Sequence, residues 1–438
     1  NFFCCAGLRR RPSWTMDRAG PSECVPRAER ATFAAAALPN GIVLPDVWPP
    51  AGRSYADFVS DPPQRPQEPP QPPPVVRIDV GRQLFVDDFL IESSRNLVRK
   101  WHQATVQSVG VVVPDQPWER GGERGIANRL TARPFGGGAL YDPRAQMVKL
   151  WYRCGWRGST GRTCLAISRD GVQFSKPPIA RSQSADTSIR GRWTNIVLET
   201  SKNEAFEVVY DHVASPPRFV AMRMEWMTGG RRFGPYTLYD SRDGVDWRAR
   251  RDRHTGAMAD RSTFFLNPLR SPPQWTLSLR ENLCAAGPSG HMRARRYWEM
   301  PHEQLLDRPG DGWLASRQQR AAAATRGARP TPATPPTPAT PSTPATPATA
   351  GAPATPATAP SAPYSPYRPF LRKYFQCEAY RPGEPVPWLA VDRDDCGFQE
   401  CDLYNVDGIA YESLVLHGLA VLRGRRNEME TKDNGIHL

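Results

Sequence analysis

The sequence predicts an all-β protein built from repeated β-hairpins. A seven-residue turn occurs twice, at 168–174 (SRDGVQF) and at 241–247 (SRDGVDW). Each copy follows a strand-like apolar run, and its Asp-Gly pair tolerates the positive φ angles that a tight hairpin turn requires. Since the same turn returns in the same local context, one supersecondary unit has been used more than once.

A second class of hairpin lies upstream of each repeated turn. Asp142, Asp211 and Asn267 each stand at the start of a predicted Asx turn between two strand-like runs. The strand-like runs that follow these turns are 148–152, 218–222 and 275–279. Two hairpins per unit make a four-stranded sheet, and several such sheets in series are typical of a β-propeller.

Two regions have a composition that cannot form a hydrophobic core. Residues 1–78 are rich in Pro, Arg and Ala, and residues 316–366 contain a loose Pro-Ala-Thr repeat. We expect both to be disordered. The insertion is interpreted either as a glycosylated tether or as a drifted loop expansion, and the second interpretation is favoured. The foldable part is 79–315 plus 367–438, which we expect to form one interrupted domain.

Composition argues against several function classes. The net charge of +13 is carried by 51 Arg and only 6 Lys, and no basic run is interleaved with stacking aromatic residues. Nucleic-acid binding is therefore not expected.

No run of 18 apolar residues occurs, so no membrane span is predicted. The chain begins with Asn1 and its last strands lack a third repeated turn, so both ends are expected to be incomplete, and the compartment is left open.

The nine cysteines have no regular spacing. Cys154 and Cys164 could face each other across a hairpin, although two separate buried thiols are the favoured interpretation. Cys396 and Cys401 lack further ligands at the spacing of a zinc site, so no metal site is predicted. No cofactor is expected either.

Candidate functional residues are carboxylates within otherwise apolar strand-like runs. Asp87 and Asp88 lie at the centre of the run 84–91, where they could reach a functional site or could instead cap a turn. Asp260 stands beside Arg261, so it could hold a substrate hydroxyl or form a structural ion pair. Glu412 lies in a long apolar segment, where a raised pKa would suit a general acid; pairing with an arginine is the alternative.

Four further residues are candidates for substrate binding. Arg295, with its neighbours Arg293 and Arg296, could bind an acidic sugar or pair with carboxylates of the blades. The other two polar candidates are Arg261, beside Asp260, and Asp407, in the same segment as Glu412. Trp151 could stack on a sugar ring or fill the core.

The order of these motifs resembles a known superfamily. The segments that carry the resemblance are FVDDFLI at 85–91, the Tyr-Asp-Pro and Lys-Leu-Trp-Tyr pair at 141–152, the two repeated turns, DRSTFF at 260–265 and YES at 411–413. Together they resemble uncharacterised glycosidase-like proteins of the five-bladed β-propeller superfamily that includes arabinanases, levansucrases and invertases. The invertase-type signatures are absent, so fructan chemistry is not expected.

The resemblance implies a fold and a chemistry. It implies blades 1 to 4 in 79–315 and an incomplete fifth blade in 367–438. It also implies three acids in a central funnel, namely Asp88 or Asp87 as base or nucleophile, Asp260 as the orienting acid and Glu412 as general acid. The implied function is hydrolysis of a glycan by a carboxylate pair. The alternative is a propeller that binds glycan or protein without turnover.

Overall fold

The structure is a computed structural model. It describes residues 37–45, 72–103, 105–106, 110–120, 131–133, 138–157, 160–184, 186–201, 203–225, 233–259, 261–284, 291–306, 386–391, 395, 401–423 and 433–437. These residues are nearly all in β-strands, turns or irregular segments, and their sheets are antiparallel.

Residues 139–201 contain six strands, four of which form the first sheet, sheet A. The six strands are β1 (Ala139–Asp142), β2 (Met147–Arg157), β3 (Thr160–Ser168), β4 (Ala180–Arg181), β5 (Trp193–Thr194) and β6 (Ile196–Ser201). Sheet A has the order β1-β2-β3-β6, and β4 pairs with β5 as a separate ribbon. The loop that precedes sheet A contains a 3-10 turn at Pro117–Glu119.

Sheet B follows with four consecutive strands. They are β7 (Asn203–Asp211), β8 (Arg218–Glu225), β9 (Phe233–Ser241) and β10 (Arg248–Ala259). Each strand pairs with the next one along the chain. Sheet B is thus a meander of two hairpins, as predicted.

Sheets C and D contain the remaining strands. Sheet C consists of β11 (Thr263–Asn267), β12 (Gln274–Cys284), β13 (His291–Pro301) and β14 (Val386–Leu389), with the short helix α1 (His302–Leu306) after β13. Sheet D consists of β15 (Cys401–Tyr411), β16 (Leu414–Arg423) and β17 (Asp433–His437). The insertion predicted at 316–366 lies outside the described residues, and β14 follows it along the chain.

The two repeated turns have the same hydrogen bonds. The Ser168 hydroxyl accepts a bond of 2.9 Å from the Gly171 amide, and the Ser241 hydroxyl accepts one of 2.8 Å from Gly244. Gly171 and Gly244 have φ angles of 75° and 76°. This is the left-handed region, which glycine occupies without steric cost. The turn prediction is confirmed in both copies.

The predicted Asx turns are also present. The Asp142 Oδ1 accepts a hydrogen bond of 3.0 Å from the Arg144 amide, and Asn267 Oδ1 accepts one of 3.1 Å from Leu269. The Asp211 Oδ1 accepts one of 3.1 Å from the amide of Ala214. The turn at Asp142 joins the first two strands of sheet A, the turn at Asp211 those of sheet B, and the turn at Asn267 those of sheet C.

Apolar side chains pack neighbouring sheets against each other in chain order. Trp151 and Leu165 of sheet A share one cluster with Phe219 of sheet B, and the ring centres of Trp151 and Phe219 lie 5.4 Å apart. A second cluster joins sheets B and C, and a third joins sheets C and D. The first strands of the sheets also lie side by side, with β7 beside β1 and β11, and β11 beside β15. This adjacency determines which side chains can meet.

Three expectations need correction. Residues 84–91 form no strand, since they follow a series of bends and turns. Cys154 and Cys164 form a disulfide with a Cα–Cα distance of 5.6 Å, because β2 and β3 place them across the same hairpin. Trp151 is fully buried and donates a hydrogen bond of 2.8 Å from Nε1 to the Gly244 carbonyl, so it fills the core and cannot stack on a sugar.

The described parts of the chain contain four sheets of three or four strands and the two-stranded β4–β5 ribbon. A fifth sheet of four strands is not present among the described residues. Cys401 is disulfide-bonded as well. No helix in the described residues is long and apolar enough to cross a membrane.

Candidate functional site

The early predicted acids lie in an exposed turn. The Asp87 Oδ1 accepts a hydrogen bond of 2.9 Å from the Phe89 amide, which is the capping role considered as the alternative. Asp88 forms an ion pair of 2.7 Å with Arg99, and the Asp88 side chain is 77% exposed. Both carboxylates therefore have local partners in the turn itself.

Glu412 lies in the two-residue turn between β15 and β16. It has a φ angle of 52° and forms an ion pair of 3.4 Å with Arg82. Arg82 also donates a hydrogen bond of 2.7 Å to the Tyr411 hydroxyl, so the segment before Asp87 contacts this turn. The pairing with arginine, considered as the alternative for Glu412, is present. Asp260 lies outside the described residues.

A different cluster forms where three neighbouring first strands meet. Glu207 is on β7 of sheet B, Arg261 directly precedes β11 of sheet C, and Asp407 is on β15 of sheet D. Arg295 reaches the same place from β13. The charges of these four residues act on one another, and we call the group the Glu207–Asp407 cluster.

Arg295 holds the backbone of the cluster together. Its guanidinium is fully buried, donates a hydrogen bond of 2.7 Å to the Tyr404 carbonyl and donates another to the Arg261 carbonyl. Burial lowers the pKa of Arg295 to about 10, which still leaves it charged at neutral pH. Arg295 thus joins β15 to the segment before β11 and supplies a positive charge inside the protein.

The two carboxyls have perturbed proton affinities. Burial raises the pKa of Glu207 well above its usual range, and the charge of Asp407 raises it further, while Arg261 and Arg295 act in the opposite direction. Burial also raises the pKa of Asp407, against the opposing effects of Arg295, Arg261 and the hydrogen bond from Asn405. The Asn405 Nδ2 donates that bond at 2.7 Å.

Solvent can reach both carboxyls of the cluster, and we call their surroundings the recess. Asp407 is exposed and Glu207 is partly exposed, yet both are surrounded by enough protein to lose part of their hydration. Carboxyls that are accessible to a ligand and have raised pKa values are typical of acid–base sites.

Contacts between β11 and β15 fix the geometry of the recess. The Thr263 hydroxyl donates a short hydrogen bond to the Val406 carbonyl. A Cβ atom on Gly408 would lie 2.5 Å from the Phe265 ring, so the two strands approach as closely as they do only because residue 408 has no side chain. Asp407 is held between these two contacts.

Tyr404 contacts two arginines, one of which is Arg261 of the cluster. The guanidinium of Arg293 lies 4.6 Å from the centre of the Tyr404 ring, and that of Arg261 lies 5.5 Å from it. All three side chains are partly exposed. Cation–π contacts of this kind favour a guanidinium that lies over the ring.

The sequence had named three members of this cluster but missed the fourth. Arg261, Asp407 and Arg295 were predicted as substrate-binding residues, and the structure brings them together. Glu207 was overlooked, although it is a carboxylate within the apolar run 206–210 (FEVVY) and so satisfies the criterion used for Glu412. Groups of three or more His, Cys, Asp and Glu that could hold a metal ion do not occur among the described residues.

Comparisons with known proteins give few matches. No family matches this chain, and no curated protein does. One matching solved structure is an N-acetylgalactosamine deacetylase from F. plautii in complex with blood group B trisaccharide, with 15% identity, a TM-score of 0.28, and coverage of 41% of this chain and 54% of that chain. Another is a fructofuranosidase from Schwanniomyces occidentalis complexed with fructosylnystose, with 11% identity, a TM-score of 0.22, and coverage of 41% and 46%.

The chain spans about half the length of both solved structures. Identities and TM-scores this low do not show a shared fold. The chemistry of the cluster must therefore be derived from its own residues.

Proposed function

We propose that this chain is a glycoside hydrolase of the five-bladed propeller superfamily, and that Glu207 and Asp407 are its acid–base pair. The observation that carries the proposal is the presence of two interacting carboxyls, both with raised pKa values, in a recess beside Arg261 and Arg295. Two carboxyls of different proton affinity are what glycosidic bond hydrolysis requires.

The propeller assignment draws on the packing of the sheets. Successive sheets pack in chain order, and their first strands lie side by side. In a propeller, first strands surround a central funnel and supply its functional side chains. The positions of Glu207 on β7 and Asp407 on β15 fit this arrangement.

The proposed mechanism divides the two roles by proton affinity. Burial raises the pKa of Glu207 and the charge of Asp407 raises it further, whereas Arg295, Arg261 and Asn405 oppose the effect of burial on the pKa of Asp407. The proposed general acid is therefore Glu207, which donates a proton to the leaving glycosidic oxygen. Asp407, beside Arg261 and Arg295, is the proposed partner that either removes a proton from an attacking water or attacks the anomeric carbon.

The acids predicted from the resemblance define a competing assignment. Asp260 directly precedes Arg261 in the sequence, and we retain it as a proposed third acid of the same site. Asp87, Asp88 and Glu412 would instead form a site around the Arg82 contact. Mutation distinguishes the two assignments.

The test is hydrolysis of a panel of aryl glycosides by the full chain and by three variants. We expect Glu207→Gln and Asp407→Asn to lower kcat/KM by about 100-fold or more, since each removes one proton-transfer role. Glu412→Gln is the matched control and should retain activity. Loss of activity in Glu412→Gln alone would instead support the competing assignment.

Circular dichroism of each variant establishes that its fold is intact. A folded wild-type chain that binds glycans and hydrolyses none would contradict the hydrolase proposal. That outcome would favour the alternative, a propeller that binds glycan or protein without turnover.

A further inference from the structure

We propose that sheets C and D hold bound water between them, at three polar side chains of β12. These side chains belong to Gln274, Thr276 and Ser278, and we call them the β12 row. The inference goes beyond the proposed function and does not depend on it, because it assigns a site for water inside the fold. It is carried by the direction of the three side chains, by their burial and by the hydrogen bonds of their neighbours.

The β12 row faces sheet D. Its members occupy every second position of the strand, and the positions between them carry apolar side chains that pack in the cluster shared with sheet B. Ser278 is paired with Tyr297 of β13, and Tyr297 belongs to the cluster that joins sheets C and D. Directly opposite residues of an antiparallel pair project to the same side, so the row projects towards sheet D.

All three members of the row are buried. Gln274 and Thr276 are 0% exposed and Ser278 is 2% exposed. The Gln274 Nε2 donates a hydrogen bond of 2.9 Å to the Pro272 carbonyl, but Gln274 Oε1, Thr276 Oγ1 and Ser278 Oγ have no hydrogen-bond partner among the described residues. Nearly all buried polar atoms in folded proteins bond to protein or to ordered water, because leaving one without a partner is costly.

The members of the row are too far apart to bond to one another. Alternate residues of a strand are separated by about 6.6–6.8 Å. A hydrogen bond between two oxygens spans only about 2.8 Å, so a water molecule that bonds to two groups covers about 5.6 Å. About one or two waters therefore span each gap of the row.

The polar neighbours on β13 are already engaged. The Tyr297 hydroxyl donates a hydrogen bond of 2.5 Å to Glu299, which pairs with Arg270 at 3.4 Å. Tyr297 therefore has no proton left to donate to the row. A hydrogen bond from Thr276 to Tyr297 would use the Thr276 proton and leave the lone pairs of Thr276 open. Water can supply the donors that these oxygens need.

Sheet D contributes one more group to the same space. His417 of β16 packs edge-on against Phe265 of β11, with ring centres 5.6 Å apart, and Phe265 is paired with Thr276. The His417 Nδ1 is buried and has no hydrogen-bond partner in the described part of the chain. The row and His417 thus lie on the two walls of one gap, which gives a bound water the several polar partners that such a site needs.

One end of the row lies next to the Glu207–Asp407 cluster. Ser278 is paired with Thr263 of β11, and the Thr263 hydroxyl donates a hydrogen bond to the Val406 carbonyl, directly before Asp407. Water bound at Ser278 would therefore belong to the same layer of contacts that holds Asp407.

The first experiment counts long-lived internal waters in the full chain by magnetic relaxation dispersion of the water oxygen nucleus. Ser278→Ala and Thr276→Val should each reduce the dispersion amplitude, because each removes a group that binds water. Ser241→Ala is the matched control and should leave the amplitude unchanged. Ser241 is also buried, but its hydroxyl is bonded to the Gly244 amide and to the Asp243 carboxylate.

Thermal unfolding of the same variants gives an independent result. If water satisfies the hydroxyls, Ser278→Ala and Thr276→Val lose hydrogen bonds, and each should lower the Tm by about 2–4 °C. If the hydroxyls are buried without water, the apolar replacements remove an unsatisfied group, and the Tm should stay the same or rise.

The proposal requires both results. An unchanged dispersion amplitude in both variants would overturn it, whatever the Tm, because the hydroxyls would then be satisfied by protein or by nothing. A Tm that stays the same or rises in both variants would overturn it as well. Neither outcome bears on the hydrolase proposal, which is tested by activity.

Discussion

Replacing Gly408 by alanine tests the contact that sets the distance between β11 and β15. The new Cβ atom would lie 2.5 Å from Cε1 and 2.6 Å from Cδ1 of Phe265. Phe265 is buried and packs edge-on against His417, with ring centres 5.6 Å apart, so its ring cannot swing aside freely. The two strands must therefore separate, which would also displace Asp407.

The expected cost follows from two opposing effects. Overpacking of this kind costs about 1–3 kcal/mol. Alanine recovers about 0.4–1 kcal/mol, because it restricts the unfolded chain more than glycine does. The free energy of unfolding should fall by about 1–2 kcal/mol, measured by urea titration followed by circular dichroism.

A double-mutant cycle identifies Phe265 as the cause. Phe265→Leu removes the ring atoms that the new methyl group meets, so Gly408→Ala should cost clearly less in that background, with a coupling of at least about 0.5 kcal/mol. Gly138→Ala is the control, because its backbone is not in the left-handed region and the nearest atom to its Cβ position is the Val208 carbonyl oxygen at 3.8 Å, an ordinary contact distance. Equal costs of Gly408→Ala with and without Phe265 would refute the packing of β11 on β15.

Three further predictions concern other parts of the described chain. Burial lowers the pKa of His417 from 6.5 to about 4, so protonation of His417 is disfavoured in the folded state. The free energy of unfolding should therefore fall as the pH decreases from 6.5 towards 4. The variant His417→Phe should lose about 3 kcal/mol less over this range, measured by denaturant titration. Glu119→Ala removes a buried carboxylate that pairs with Lys176 at 2.8 Å and accepts a hydrogen bond of 2.7 Å from the Tyr152 hydroxyl, while Lys176 keeps its ion pair with Asp115. We expect a loss of about 2–3 kcal/mol by the same assay, since hydrogen bonds to charged groups contribute this much, and a loss below about 1 kcal/mol would contradict the burial of Glu119. Joint replacement of Cys154 and Cys164 by alanine should destabilise the chain by about 2–4 kcal/mol, and a reductant should then lower the melting temperature less than in the wild type.

The sequence predicted the turns correctly where the residues that form them are close together in the chain. The turns at 168–174 and 241–247 bind their own backbone through Ser and Asp side chains a few residues away, so the pattern alone indicates the conformation. The Asx turns at Asp142, Asp211 and Asn267 follow the same logic.

The prediction was wrong where two local patterns compete. Residues 84–91 have strand-like apolar residues, but Asp87 bonds to the Phe89 amide and the Asp88 carbonyl accepts a hydrogen bond from Ile91. These turn contacts replace the ladder that a strand would need. The disulfide between Cys154 and Cys164 depended on a pairing register that cysteine spacing does not specify.

The candidate site could be predicted only in part. Asp407 and Arg261 stood out as charged residues beside apolar strand runs, and Arg295 as one of several arginines near an aromatic residue. Nothing in the sequence relates Glu207 on β7 to Asp407 on β15, since they lie in different sheets. The sequence by itself determined the antiparallel strands, the hairpin turns and their order, because these depend on residues close together in the chain. Only the tertiary structure decided which charges meet, because the raised pKa values of Glu207 and Asp407 arise from burial and from neighbours contributed by distant strands.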